Sequence, residues 1–218
     1  MIRNIIFSIF FFSGIIIISL VFLPAFFLPQ KIVLIGGKLM GYWTSFCLKI
    51  FLSTKIIIKG KENIINNEKF FIASSHQSMF ETFYLQTIFN SPIFILKKEL
   101  LLIPIFGWYL KKIGSISIKR NKVSKENLGF FDDISKQVNS SERPLIIFPQ
   151  GTRLSPEDRT PFKKGSGRIY EELKTEGFVR VKINNVVHPL DEFPSLNKNQ
   201  KHDISAIVDR LQLKQEED

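Results

Sequence analysis

Residues 69–89 read KFFIASSHQSMFETFYLQTIF and pass from one kind of structure to another within a few positions. Phe70, Phe71, Ile72 and Ala73 form an apolar, β-prone run. Ser74, Ser75, His76, Gln77 and Ser78 are polar, and from Met79 to Phe89 apolar residues return at helical spacing. Strand, loop and helix in that order predict one unit of an α/β layer fold, in which helices pack on a sheet and ligands meet the loops at the carboxyl ends of strands. The loop holds His76, and Glu81 follows in the first turn of the predicted helix. By themselves these two residues fit a histidine that opens a helix as well as they fit a general base with its carboxylate.

Outward from this unit the same alternation continues. KIIIKG (55–60), PIFILKK (92–98), SISIK (115–119) and PLIIFPQ (144–150) read as further strands, bounded by Gly, Pro or Ser. ELLLIPIFGWYLKKIG (99–114) and SKENLGFFDDISKQVN (124–139) read as helices, the second capped by Ser124. Two of these strands also end in polar loops. GSISIKRN delivers Lys119 and Arg120, and LIIFPQGTR delivers Gln150, Gly151, Thr152 and Arg153. Each alone fits a surface turn; together they offer a glycine for close approach, a hydroxyl, and cations suited to phosphate oxygens.

Before this region the chain is of another character. IIFSIFFFSGIIIISLVFLPAFFL (5–28) has no charged residue, and as one helix it would rise roughly 36 Å, enough to cross a bilayer core of about 30 Å. It is too long for a signal-peptide core and no small-residue cleavage pattern follows it. A second apolar stretch, 32–52, is interrupted by Lys38 and Lys49 and suits a helix lying in the interface. Arg3, Lys31, Lys38, Lys49, Lys55, Lys59 and Lys61 all precede the first acidic residue, Glu62, a distribution that favours a cytoplasmic leaflet with anionic lipid. The formal net charge of +10 also suits nucleic acid, but bases beside long apolar segments point to lipid. Cys47 is the single cysteine, which excludes an intramolecular disulfide and a cysteine metal site.

Taken in order, HQSMFE, GSISIKR and FPQGTR resemble the motifs of the bacterial 1-acylglycerol-3-phosphate acyltransferases of the PlsC family: His, four residues and Asp, then a Gly-led strand ending in Arg, then F-P-E-G-T-R. The resemblance spans about 1–170, with FKKGSGRIYEEL continuing it. It implies an α/β fold of the glycerolipid acyltransferase type, a mixed sheet flanked by helices behind membrane-embedded N-terminal helices. It implies transfer of a fatty acyl group from acyl-CoA or acyl carrier protein to the sn-2 hydroxyl of lysophosphatidic acid, giving phosphatidic acid for phospholipid biosynthesis. The setting implied is the cytoplasmic face of the bacterial inner membrane, among membrane lipids, with no cofactor and no metal. His76 is then the base and Glu81 its orienting carboxylate, while Lys119, Arg120, Gln150, Gly151, Thr152 and Arg153 bind substrate. Two positions depart from the pattern: Glu81 stands for Asp, and Gln150 stands for Glu. These leave an alternative, an inactive membrane-bound relative that binds lipid or an acyl carrier.

After Tyr170 the Phe-rich texture gives way to Asn, Lys and Asp, and the family's own last core strand does not follow. Instead KTEGFVRVKINN, PLDEFP and KHDISAIVDRL resemble a segment of the UvrA excision-repair protein. The organisation expected is a membrane-associated helical segment (1–52), an acyltransferase domain lacking its C-terminal part (53–170) and a foreign UvrA-like fragment (171–218), joined near 170–172. No G-x-x-x-x-G-K-[ST] motif occurs, so the tail is no ATPase and no nucleic-acid partner is expected. His188 and His202 have no Cys or His neighbours at ligand spacing and read as surface or packing residues.

Overall fold

The computed structural model describes residues 2–64, 70–118, 130–154, 163, 165–173, 177–184 and 204–211. Its apolar front end folds back on itself. Helix α1 (Ile2–Val21) stops short of Pro24, whose missing N–H and fixed ring oppose another helical turn, and a 3-10 turn (Leu23–Phe27) leads into α2 (Gln30–Leu52). The run expected to be one helix through Leu28 is therefore a helix and a turn. Arg3 closes the open end of the hairpin: its guanidinium donates to the Phe51 carbonyl at 2.9 Å and to Ser53 Oγ at 3.0 Å. A cation is favoured at the C-terminus of α2, where backbone carbonyls lack helical partners.

Phe7, Phe11 and Gly14 lie at helical spacing and face the protein. The Trp43 indole of α2 occupies the space where a Cβ on Gly14 would stand, and its Nε1 donates to the Phe11 carbonyl at 3.2 Å. The outer faces stay apolar and exposed, with Ile9, Phe10, Ile16 and Ile17 on α1 and Ile35, Leu39, Phe46 and Ile50 on α2. Among the described residues α1 is the one helix long and apolar enough to cross a membrane.

The strands follow the apolar runs closely. β1 (Ile56–Lys59), β2 (Phe70–Ser74), β3 (Ile93–Lys97), β4 (Ile116–Ile118) and β5 (Leu145–Ile147) all fall inside the expected segments. With β6 (Gly177–Asn184) and β7 (Ile204–Leu211) they make a seven-stranded sheet in the order β1-β7-β6-β2-β5-β3-β4. Neighbours run parallel except β6 and β7, which are antiparallel, so the sheet is mixed as expected. The boundary expected near residue 170 does not coincide with a break in this sheet.

Helices cover both faces. Ile72, Phe94 and Ile146 point into a core shared with α1, α2 and α3 (Phe80–Ile88). Their neighbours Phe71, Ile93, Ile95, Leu145 and Ile147 point into a second core with α5 (Phe130–Asn139) and α6 (Gly165–Leu173). Alternation of side chains along buried strands thus divides the interior into two layers, which is why these strands are apolar without a break.

The helix expected over 99–114 is broken. A 3-10 turn (Lys98–Leu102) precedes α4 (Phe106–Lys112), because Pro104 holds Ile103 in extended geometry at φ −69°, ψ 121°. Beside it stands Arg143, which no sequence pattern singled out and whose half-buried guanidinium donates to the carbonyls of Ser91 at 2.6 Å, Ile113 at 2.7 Å and Pro92 at 3.2 Å. It ties the start of β3 and the end of α4 to β5, and burial pulls its pKa down to about 10.

At Gly41 α2 runs so close to α3 that a Cβ there would meet the Phe83 carbonyl at 2.6 Å. Alanine favours a helix over glycine by about 1 kcal/mol, but here the obstacle is backbone. Gly41→Ala is expected to lower stability by about 1–3 kcal/mol, read as a lower denaturation midpoint of the detergent-solubilised chain. An unchanged or raised midpoint would mean that α2 and α3 do not meet so closely.

Candidate active site

His76 leaves the carboxyl end of β2 in the short loop before α3, and β5 holds it there. Its backbone N–H donates to Gln150 Oε1 at 3.2 Å, and its carbonyl accepts the Leu154 N–H at 3.0 Å. Its imidazole stacks on Phe148, with ring centroids 4.3 Å apart and planes 24° from parallel. The histidine is half-buried, so one side of the ring is packed while the site remains open to a ligand.

Glu81 is fully buried in the first turn of α3 and turns back toward the loop. Its Oε1 accepts the N–H groups of Gln77 at 2.5 Å and Ser78 at 3.0 Å, and its Oε2 accepts the Ser78 hydroxyl at 2.9 Å. The Ser78 hydroxyl in turn accepts the Phe80 N–H at 3.0 Å. The carboxylate therefore fixes the residues directly after His76 and supplies acceptors to a helix start that lacks them. Burial pushes the Glu81 carboxyl above the usual range, and the N–H groups of Gln77 and Ser78 with the Ser78 hydroxyl pull it back.

The third loop is a tight turn. The Gly151 N–H closes it on the Phe148 carbonyl at 2.9 Å, Pro149 and Gln150 form its corners, and Gly151 takes φ 72°, a conformation that costs glycine little. That N–H is spent on the turn and does not donate to a substrate. Thr152 is exposed and Arg153 half-buried. Lys119 and Arg120 lie outside the described residues.

His76, Gly151, Thr152 and Arg153 together line part of a cavity of about 610 Å³. From there it runs between α2, α3 and α4 along apolar walls that include Val33, Met40, Phe83, Leu110 and Ile113. Lys97, which the sequence did not single out, joins the lining at the end of β3. An acid–base side chain and cations on a lining that is otherwise mostly apolar, with Thr82 and Gln86 as further polar members, suit an amphipathic ligand with an anionic head and a long apolar chain.

Three of the residues that build the site lay outside the sequence-based set. Ser78 had a signal, because Ser78-Met79-Phe80-Glu81 is an S-x-x-E capping pattern. Phe148 had none, since one more Phe in an apolar strand is indistinguishable from core. Lys97 likewise read as an ordinary strand end.

A protein-family model described as Acyltransferase matches residues 55–188, more than half of the 218-residue chain. The chain belongs to this acyltransferase family. It is 30% identical over 149 residues to the 1-acyl-sn-glycerol-3-phosphate acyltransferase of Saccharomyces cerevisiae, a match covering 65% of this chain and 48% of the yeast protein. The chain spans about half the length of the curated acyltransferases it matches. The crystal structure of the 1-acyl-sn-glycerophosphate acyltransferase PlsC from Thermotoga maritima shares the fold, with TM-score 0.67 and 19% identity over 95% of this chain and 85% of that one. A second model, described as UvrA interaction domain, matches 161–218 and so overlaps the first over 161–188. The UvrABC system protein A of Mycobacterium leprae is 40% identical over 74 residues, 32% of this chain and 7% of that protein.

Within the acyltransferase site, the Gln150–His76 bond needs an oxygen acceptor and not a charge. Gln150→Leu is expected to lower kcat about tenfold, the worth of one hydrogen bond of roughly 1.4 kcal/mol, while Gln150→Glu keeps near-normal turnover. A Leu variant as active as wild type would remove Gln150 from the machinery. Glu81 makes a prediction of opposite kind. Its folded pKa lies above its unfolded one, so the stability linked to its proton is present at acid pH and lost as pH rises through the folded value. Thermal midpoints of wild type and Glu81→Gln, compared from about pH 4 to about pH 8, are expected to shift against wild type as pH rises. A shift toward wild type would show that the donors around Glu81 outweigh its burial.

Proposed function

We propose that the chain is a membrane-bound 1-acylglycerol-3-phosphate acyltransferase, moving a fatty acyl group from acyl-CoA or acyl carrier protein to the sn-2 hydroxyl of lysophosphatidic acid. The observation that carries this reading is the cavity whose largely apolar lining also holds His76 and Arg153. An acyl chain fits the passage and a phosphate fits Arg153; Lys119 and Arg120, on sequence grounds, are assigned to the same phosphate.

His76 takes the proton of the acceptor hydroxyl as its oxygen attacks the thioester carbonyl. The tetrahedral intermediate collapses by breaking the C–S bond, and the imidazolium returns its proton to the departing thiolate. The products are the acylated lipid and a free thiol, with no acyl-enzyme and no call on a cofactor. Glu81 serves this step by fixing the His76–Ser78 backbone, and its negative charge, where ionised, favours the imidazolium. Phe148 sets the plane of the ring. Holding the phosphate on Arg153 places the hydroxyl near His76, and orientation of this kind supplies much of the rate.

The exposed apolar faces of α1 and α2 would lie in the bilayer, at its cytoplasmic side, with Lys31 and Lys49 toward anionic headgroups. The cavity passes beside α2, so both acyl chains could reach it from the lipid phase.

The test is transfer of a labelled acyl group by wild type and His76→Ala. Replacing a general base is expected to cost about two to four orders of magnitude in kcat, with binding of lysophosphatidic acid little changed. Near-normal turnover of the variant would sink the assignment, and binding without turnover by the wild type would favour a non-catalytic relative.

A further inference from the structure

The repair-protein-like stretch has no part in the acyl transfer described above, yet its strands lie inside the sheet, between β1 and β2. β6 pairs in parallel with β2 from Phe70 opposite Gly177 to Ser74 opposite Val181. The ladder continues one step past the end of β2, where the Ser75 N–H donates to the Val181 carbonyl at 3.0 Å. The next residue is His76. β7 pairs antiparallel with β6 from Phe178 opposite Leu211 to Asn184 opposite Ser205, and parallel with β1 from Ile56 opposite Ile204 to Lys59 opposite Ile207. In the strand order β7 stands between β1 and every other strand, so it joins β1, and with it the end of α2, to the catalytic half of the sheet.

Val181 is attached to the site from both sides of its backbone. Its carbonyl holds Ser75, and its side chain, 1% exposed, lies in the apolar cluster that contains Phe80 and Phe83 of α3 and receives Phe148 at its margin. Phe148 is the ring on which His76 stacks, and Phe80 adjoins Glu81. Strand pairing is carried by backbone groups and asks of the side chains mainly a suitable alternation. FVRVKI supplies that alternation, so a segment similar to another protein can fill a place in this sheet.

We propose that the UvrA-like segment is a working part of this acyltransferase: β6 is a positioning strand for His76, acting through Val181, and β7 anchors β1 and the helical hairpin to the sheet. The positioning role rests on His76 being the base; the placement of the strands does not.

Hydrogen–deuterium exchange on the full chain in detergent tests this. In wild type, peptides covering 177–184 and 204–211 are expected to exchange as slowly as those covering β2 and β5. Val181→Asp is expected to speed exchange at 70–76 at least tenfold and to lower kcat at least tenfold. KM for the acyl donor should stay within about twofold, and the α1–α2 peptides should keep their protection. Val181→Ile should restore both exchange and kcat. Exchange of 177–184 and 204–211 at the rate of an unstructured peptide in wild type would overturn the proposal, whether or not the Asp variant folds. So would a Val181→Asp chain with unchanged exchange at 70–76. Protection of both segments in a wild-type chain that transfers no acyl group would support the placement and reject the activity.

Discussion

A carboxylate without solvent exposure is costly unless its oxygens find donors, and Glu81 finds three by seizing the loop before its own helix: the Gln77 and Ser78 N–H groups and the Ser78 hydroxyl. The rest of the site follows from this constraint. Once Gln77 and Ser78 are tied to α3, His76 can leave β2 in only a narrow range of directions, and that range faces the loop after β5. There Gln150 takes its N–H, Leu154 its carbonyl and Phe148 its ring. The longer arm of Glu81, compared with the Asp usual in the family, suits a carboxylate whose partners lie three and four residues back along the chain. In the same way Gln150 keeps the acceptor oxygen that its backbone contact requires.

The helical front end completes the site. Gly14 and Gly41 let α1, α2 and α3 approach until an indole or a carbonyl fills the space of a methyl group. Close packing on the inside leaves the outer faces of α1 and α2 free to be mostly apolar. α2 contributes Val33 and Met40 to the lining of the cavity and Ile35, Leu39 and Phe46 to the exposed apolar face. The loop of buried polar groups and the largely apolar cavity are thus adjacent, because α3 both packs against α2 and carries Glu81.

Much of this was legible in the sequence. β1 to β5 lie inside the apolar runs that marked them, because short strands buried on both faces leave a dense, local signal. His76 and the Gln150–Arg153 loop stood out as polar residues at strand ends, and the structure brings them to one cavity. What escaped was non-local. Arg143 is one more cation until three carbonyls from distant segments are seen to converge on it. The break at Pro104 was visible as a residue but was outweighed by the apolar period around it. The places of β6 and β7 depended on pairing between segments more than a hundred residues apart, and sequence similarity to another protein pointed away from the sheet.

Transfer of a labelled acyl group from acyl-CoA to lysophosphatidic acid by the purified full chain in mixed micelles is the measurement that bears most directly on this account. It predicts labelled phosphatidic acid, formed in proportion to enzyme and only when acceptor is present. Saturable binding of lysophosphatidic acid with no acylated product from either acyl-CoA or acyl carrier protein would contradict it.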